Sequence, residues 1–281
     1  MKKVKIKIPA KINLTLDVVG IKDGYHLLKS LVTSVSVYDT VTLVSRNDNK
    51  ITLTEKGIKS GCPQEKNNAF RSAVAFNEKY GYNGVDIVLE KNIPVAGGMG
   101  GSSADIAGVL LGMKKLFGVK DDIKPIADTL GSDSGYMCSG GWAVIEGRGE
   151  HVEPLDLDTK FYLLAITDTA TVSAGECFKV FDSKADAVKE CTDLAVNALK
   201  EKDLCAFYNV AKNDLFEPAI QIAPSIKENL TALASVGSEK AIMTGSGSVT
   251  LGLFTSKRQR NKAYKKLFNT FGDRLIKAQT L

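Results

Sequence analysis

The chain has 281 residues, 44% of them hydrophobic and 25% charged, the balance of a globular protein with enough apolar side chains for a full core. A formal charge of +5, from 37 basic and 32 acidic residues, is spread along the chain; it suits small anions and argues against a nucleic-acid partner, since no basic stretch is interleaved with aromatics. Two histidines and five cysteines without Cys-x-x-Cys spacing exclude a zinc site and a disulfide framework. The thiols at 62, 138, 177, 191 and 205 read as reduced and mostly buried. No run of eighteen apolar residues stands anywhere in the chain, so no membrane partner and a cytoplasmic location are expected.

In the first half, alternation of apolar and polar residues predicts strands at Lys5–Ile8, Ile12–Val19, Leu31–Val37, Val41–Val44, Ile51–Leu53, Val85–Leu89 and Trp142–Ile145. Helical spacing predicts Asn68–Tyr80, Ser103–Phe117 and a short helix near Ile123–Leu130. Pro154, with a run of acids over Glu150–Asp158, interrupts the periodicity and marks a joint. Beyond it, a strand at Phe161–Ile166 precedes helices around Ala174–Asp182, Ala185–Lys200, Leu204–Asn213 and Ile226–Val236. Strands at Lys240–Met243 and Val249–Phe254, a helix at Lys257–Phe271 and a last strand complete the chain. Mixed order in both halves predicts an α+β fold with domains at residues 1–155 and 156–281.

The segment Pro94-Val-Ala-Gly-Gly-Met-Gly-Gly-Ser-Ser-Ala-Asp-Ile-Ala-Gly108 lies between a predicted strand and a predicted helix. Gly97, Gly98, Gly100 and Gly101 remove the side chains that would keep a polyphosphate off the backbone and allow amides to turn inward. The helix that follows points its unpaired N–H groups and positive dipole end at a bound anion. Ser102 is placed as an N-cap and Asp105 as the acid of a capping box. A Walker loop is excluded because no lysine stands between Gly97 and Lys114, and a dinucleotide loop because Ser103 replaces the third glycine.

Three further stretches carry candidate chemistry. In Pro9-Ala-Lys-Ile-Asn-Leu-Thr-Leu-Asp, Lys11, Asn13, Thr15 and Asp17 share one strand face, which is either solvated or turned to a ligand. The Asp23-Gly24 turn then presents Tyr25 and His26, a ring and an imidazole suited to a nucleobase or merely to closing a sheet end. Asp133 sits in a small-residue turn, Gly131-Ser-Asp-Ser-Gly, and Thr244-Gly-Ser-Gly247 forms a third small-residue loop that is either a phosphate cover or a tight turn between strands.

Taken in order, Pro-Ala-Lys-x-Asn-Leu, Asp-Gly-Tyr-His, the glycine-serine loop, Gly-Ser-Asp and Thr-Gly-Ser-Gly resemble the GHMP superfamily of small-molecule kinases over nearly the whole chain. Asp23–His26, the Ser30–Tyr38 run with Asp39, Asn67, Val172-Ser173 and Asn213–Pro218 resemble the branch acting on a cytidine-diphosphate-linked methylerythritol in non-mevalonate isoprenoid synthesis. The resemblance implies an N-terminal lobe like domain 2 of ribosomal protein S5, a ferredoxin-like C-terminal lobe, and a site between them. It implies transfer of the γ-phosphoryl group of ATP, with Mg²⁺, to a tertiary 2-hydroxyl by a monomer or weak homodimer. Asp133 would accept the hydroxyl proton, while Lys11 would hold Asp133 ionised and stabilise the transferring group. Tyr25 and His26 would hold the cytosine, with Asn13, Val172 and Ser173 near the substrate. The triphosphate would lie on the loop from Pro94 through Gly97, Gly98, Gly100, Gly101, Ser102 and Ser103, with Asn67 lining the nucleotide pocket and Gly245, Ser246 and Gly247 supporting the loop. No protein metal ligands are implied.

Three departures from the branch stand out: a loop one residue shorter, Gly135 where proline is usual two residues after the aspartate, and Ser248 where proline is usual in the third loop. Glycine at 135 predicts a less firmly placed Asp133. A smaller alcohol such as homoserine or a mevalonate-like acid is the alternative acceptor, and a non-catalytic nucleotide-binding relative is the alternative role.

Overall fold

A computed structural model of the chain describes residues 1–183 and 190–281. In chain order the first elements are β1 (Lys3–Asn13), β2 (Asp17–Lys22), β3 (Tyr25–Ser45), β4 (Ile51–Gly57), α1 (Asn68–Tyr80), β5 (Val85–Lys91) and α2 (Gly101–Phe117). Next come α3 (Lys124–Leu130), α4 (Ser134–Ser139), β6 (Trp142–Gly147), β7 (His151–Leu155), β8 (Tyr162–Ile166) and α5 (Ala174–Asp182). The remainder is α6 (Thr192–Lys200), α7 (Leu204–Val210), α8 (Phe216–Ile222), α9 (Ser225–Ser235), β9 (Lys240–Met243), β10 (Thr250–Phe254), α10 (Lys257–Phe271) and β11 (Leu275–Gln279). Packing divides these into two interleaved units, residues 1–10, 37–95 and 100–140 in one and 11–36, 96–99 and 141–281 in the other. This is a different division from the linear one expected at residue 155.

In the first unit, the C-terminal half of β3 pairs antiparallel with β5, and β5 pairs parallel with β4. Alternation along β5 buries Val85, Ile87 and Leu89 completely, and they form one core with Phe76 of α1 and Val109 and Met113 of α2. Each such side chain contributes roughly 1.5–3 kcal/mol on burial. Gly108 and Gly112, one helical turn apart, let α2 lie close to β3. A Cβ at either would stand 2.7 Å from a side-chain carbon, of Val41 and Leu43 respectively.

In the second unit, the N-terminal half of β3 pairs with β2 and β6, and β6 pairs with β7. A separate antiparallel sheet has the order β11-β8-β10-β9. Leu164, Ile166 and Phe254 of that sheet pack with Leu233 of α9 and Ala263 and Leu267 of α10.

Several expectations change. β3 is one strand of 21 residues where two were expected, because Tyr38 and Asp39 break the apolar pattern without breaking the ladder. β1 runs through Pro9 to Asn13, and a break at 14–16 separates it from β2. Pro154, read as part of a joint, lies in β7 opposite Ala143 of β6, on an edge strand where its missing N–H is tolerated. α4, α8 and β7 are too short to show periodicity and were not expected. Of the helix expected at Ala185–Lys200, residues 185–189 lie outside the described ones, Glu190 and Cys191 are not helical, and Thr192–Lys200 is α6. All five cysteines are free, but only Cys177 and Cys191 are buried, so the expectation of mostly buried thiols does not hold.

Candidate active site

The base of the glycine loop belongs to the first unit. α2 starts at Gly101, with Gly100 as its N-cap in the left-handed region (φ +73°) and no side-chain cap. The sequence placed Ser102 as the cap and Asp105 as its partner acid; the left-handed glycine starts the helix earlier and frees both. Ser102 Oγ accepts a 2.5 Å hydrogen bond from Asn68 Nδ2, while Asp105 turns inward and accepts one of 2.6 Å from Lys91 Nζ. Without a cap, the first amides of α2 are left to solvent or to an anion. Pro94 is buried at the loop's start. Asn67 caps α1 through Ala69 N, and its amide nitrogen reaches Glu55 Oε1 at 2.9 Å.

The crown of the loop, residues 96–99, packs in the second unit against the third small-residue loop. Gly98 has φ +75°, and a Cβ on it would stand 2.2 Å from Thr244 O. Thr244 Oγ1 donates to Gly98 O (3.3 Å) and accepts from Asn13 N (2.9 Å). Gly245 is also close, since a Cβ there would meet Gly98 Cα at 2.9 Å. Gly97 and Gly247 are buried and Ser246 is half-buried beside them. Asn213 Nδ2 fastens this loop by donating to the carbonyls of Met243 (3.0 Å) and Gly245 (2.8 Å). The side chain belongs to a motif that the sequence singled out without giving it a task.

Lys11 and Asn13 are 5% and 6% exposed, so their strand face is not solvated. Lys11 Nζ donates to Asn13 Oδ1 (2.7 Å), and Asn13 Nδ2 donates to Ser30 Oγ (2.7 Å). Asp17 accepts from the amides of Cys191 and Thr192, and Thr15 bonds Thr192 Oγ1. The two ends of this polar face therefore differ. Thr15 and Asp17 serve the fold, while Lys11 and Asn13 form a buried pair next to the glycine loop, where Lys11 N donates to Met99 O.

Asp133 stands at the N-cap position of α4 with φ −88° and ψ 0°. Its carbonyl accepts Met137 N, and Ser134 N donates to Gly131 O. Gly131 is wedged against Ser134 Oγ and Ser103 Oγ, which would stand 2.7 and 3.3 Å from a Cβ there. The aspartate turn and the first turn of α2 thus meet within one unit. Gly135 faces the Asp128 side chain, whose Oδ1 would stand 2.1 Å from a Cβ there and would have to shift to admit one. In the third loop, the Gly247–Ser248 peptide is cis, and Ser248 Oγ donates to Ala170 O (2.6 Å).

Tyr25 and His26, adjacent on β3, have different surroundings in the second unit. The Tyr25 ring is half exposed and carries the Arg148 guanidinium 3.7 Å from its centroid. His26 is stacked on Phe178 of α5 at 4.3 Å and bonded to Asp182 Oδ1 at 2.6 Å. Val172 is buried with Cys177 and Ile226 in the second unit's core, and exposed Ser173 precedes α5. Among the described residues no group of three or more His, Cys, Asp or Glu is placed to hold a metal ion, and no helix is long and apolar enough to cross a membrane.

Residues 67–144 match the GHMP kinases N terminal domain. The crystal structure of a 4-(cytidine 5'-diphospho)-2C-methyl-D-erythritol kinase superposes with a TM-score of 0.84 at 27% identity, covering 98% of each chain. L. major mevalonate kinase superposes with a TM-score of 0.78 at 13% identity over 99% of this chain and 95% of its own, a likeness of fold alone. The mixed α+β chain, with two sheets among its described residues, has the GHMP kinase fold. The 4-diphosphocytidyl-2-C-methyl-D-erythritol kinase of Clostridium beijerinckii is 32% identical over 97% of this chain and 99% of its own. That of Cutibacterium acnes is 33% identical over 87% and 83%. The chain belongs to the family of 4-diphosphocytidyl-2-C-methyl-D-erythritol kinases.

Proposed function

We propose that this chain transfers the γ-phosphoryl group of ATP to the 2-hydroxyl of 4-diphosphocytidyl-2-C-methyl-D-erythritol, releasing ADP and the 2-phosphate. One observation carries the reading: a glycine-serine loop opening an uncapped helix, in a chain matching relatives of that name over nearly their whole length. The acceptor oxygen forms a bond to the γ-phosphorus as the bond from that phosphorus to the β–γ bridging oxygen breaks, and Asp133 takes the hydroxyl proton. Because such transfers pass through a loose transition state, alignment and charge stabilisation supply most of the acceleration. Lys11 supplies positive charge, its ammonium oriented by Asn13. Gly97, Gly98, Gly100 and Gly101, with Ser102 and Ser103 on the opening turn of α2, hold the triphosphate. Pro94 fixes the loop's start, Asn67 sets the nucleotide pocket through α1, and Gly245, Ser246 and Gly247 back the loop.

On the acceptor, Tyr25 and His26 take the cytosine, and Val172 and Ser173 lie near the polyol. Mg²⁺ is part of the proposal: an ion held chiefly by phosphate oxygens and water would neutralise phosphate charge. The lobes at 1–155 and 156–281, the cytoplasmic setting, the monomer or weak homodimer and the absence of a nucleic-acid partner belong to the same reading.

The test is Mg²⁺-dependent ADP release from ATP with the cytidylated acceptor, with homoserine, mevalonate or no acceptor as controls, beside Asp133→Asn. Release is expected only with the cytidylated acceptor, and a fall of about 10²–10⁴-fold is expected in the variant. Nucleotide binding without acceptor-dependent release would refute the assignment.

A further inference from the structure

Three charged side chains of the first unit lie in its interior beneath the glycine loop: Lys91 is 4%, Asp39 1% and Asp105 5% exposed. Lys91, the last residue of β5, donates from Nζ to Asp39 Oδ2 at 2.8 Å and to Asp105 Oδ2 at 2.6 Å. Asp39 uses its other oxygen to accept the amides of Asn92 (2.6 Å) and Ile93 (2.8 Å), where the chain leaves β5 for the loop. Asp105 sits in the opening turns of α2, where the chain leaves the loop again. Ile93 Cγ2 would be 3.1 Å from a Cβ on Gly101, so the two ends of the loop are also in close contact. One ammonium thus ties both ends of a phosphate-type loop to the same strand.

Stability does not account for this arrangement. A buried ion cluster seldom outperforms apolar residues of equal volume, and its best-attested use is to fix one geometry among alternatives. Two carboxylates also share one cation, and among the described residues Asp105 Oδ1 has no hydrogen-bond partner. Burial, with Asp39 adjacent, raises the Asp105 carboxyl to about 7. The cluster is imperfectly compensated, yet it is aimed at the two backbone positions that set the span of the loop.

We propose that Lys91, Asp39 and Asp105 are positioning residues for the nucleotide: they fix the separation of the loop's ends and so the direction of its amides. This rests on the reading of the loop as an ATP site, and binding is therefore measured without acceptor. Asp105→Ala leaves a neutral Lys91–Asp39 pair, so no uncompensated charge opposes folding, and Asp105→Leu refills the lost volume. Asp105→Asn keeps an oxygen for Lys91. The equilibrium binding of a fluorescent ATP analogue is expected to weaken at least tenfold in the alanine and leucine variants and less than threefold in the asparagine one. In turnover, KM for ATP rises while KM for the acceptor stays within twofold. Amide hydrogen exchange speeds up over residues 92–101 and not over α1. Leu116→Ala, a cavity in α2 remote from the loop, lowers Tm without changing ATP binding.

Alanine and leucine variants binding the analogue within twofold of wild type would overturn the proposal, as would equal weakening in all three Asp105 variants. A wild-type chain that binds no ATP would overturn the functional reading along with it.

Discussion

Gly98→Ala isolates what the close approach of the two small-residue loops contributes. The new Cβ would lie 2.2 Å from Thr244 O and 2.9 Å from Thr244 C, against an ordinary carbon–oxygen separation of roughly 3.3 Å, so the backbones must part by about 1 Å. Thr244 has little freedom to yield, because its hydroxyl is held by Asn13 N and its flanking carbonyls by Asn213. A left-handed alanine costs roughly 1–2 kcal/mol by itself. Gly118→Ala is the control, since Gly118 has φ +74° and open space where the Cβ would stand. Denaturant unfolding should show the control losing only that backbone cost and Gly98→Ala losing about 1–3 kcal/mol more. Displacements of about 1 Å at a reacting centre cost on the order of 10²-fold. Steady-state kinetics should therefore give Gly98→Ala a kcat/KM for ATP reduced by one to two orders of magnitude and leave Gly118→Ala near wild type. Equal stability of the two variants, with ATP kinetics unchanged in both, would refute the packing argument.

Asp105 predicts a pH dependence of stability. Its folded carboxyl is raised to about 7 by burial, so between the ordinary carboxylate range and pH 7 the unfolded chain has lost a proton that the folded chain keeps. Stability then falls as pH rises through that window; Asp105→Asn should remove this slope in thermal melts from pH 4.5 to 7.5, and parallel wild-type and variant curves would exclude it. Gly135→Ala should destabilise by driving its Cβ against Asp128, and adding Asp128→Ala should recover much of the loss, a coupling of about 1 kcal/mol or more in a double-mutant cycle. Strict additivity would show that the Asp128 carboxylate does not set the fit. Tyr25→Ala should raise KM for the cytidylated acceptor by roughly 5–150-fold, the equivalent of about 1–3 kcal/mol of base stacking, with KM for ATP unchanged; an effect on ATP alone would remove Tyr25 from the acceptor.

The elements that could be read from sequence are those whose cause is local. Helix α1 begins where Asn67 caps it and ends at Gly81 in the left-handed region, and both letters signal this. Val85, Ile87 and Leu89 alternate because one face of β5 is buried. The glycine-serine loop was legible because its residue types have few other uses in that order. Lys91 and Asp39 were not legible as a pair, because the partners stand 52 residues apart and each taken alone looks like a polar strand residue. The surroundings of Thr15 and Asp17 were hidden for the same reason, since Thr192 meets Thr15 and Cys191 and Thr192 meet Asp17 from far along the chain. The capping-box reading of Ser102 and Asp105 failed because the left-handed Gly100 shifted the helix start, a backbone fact that side-chain spacing does not carry.

The polar side of the N-terminal strand is closed by residues made late. Asp17 meets Cys191 and Thr192, the Leu16 carbonyl accepts the amide of Asp214, and Asn13 N reaches Thr244 across 231 residues. At about 5–20 residues per second of synthesis, the strand waits roughly 10–50 s for its last partner. A strand made early relative to its partners is thus finished only when the last of them has been made. A nascent chain arrested short of residue 244 should accordingly keep Lys11 open to protease, and extension well past that residue should close it.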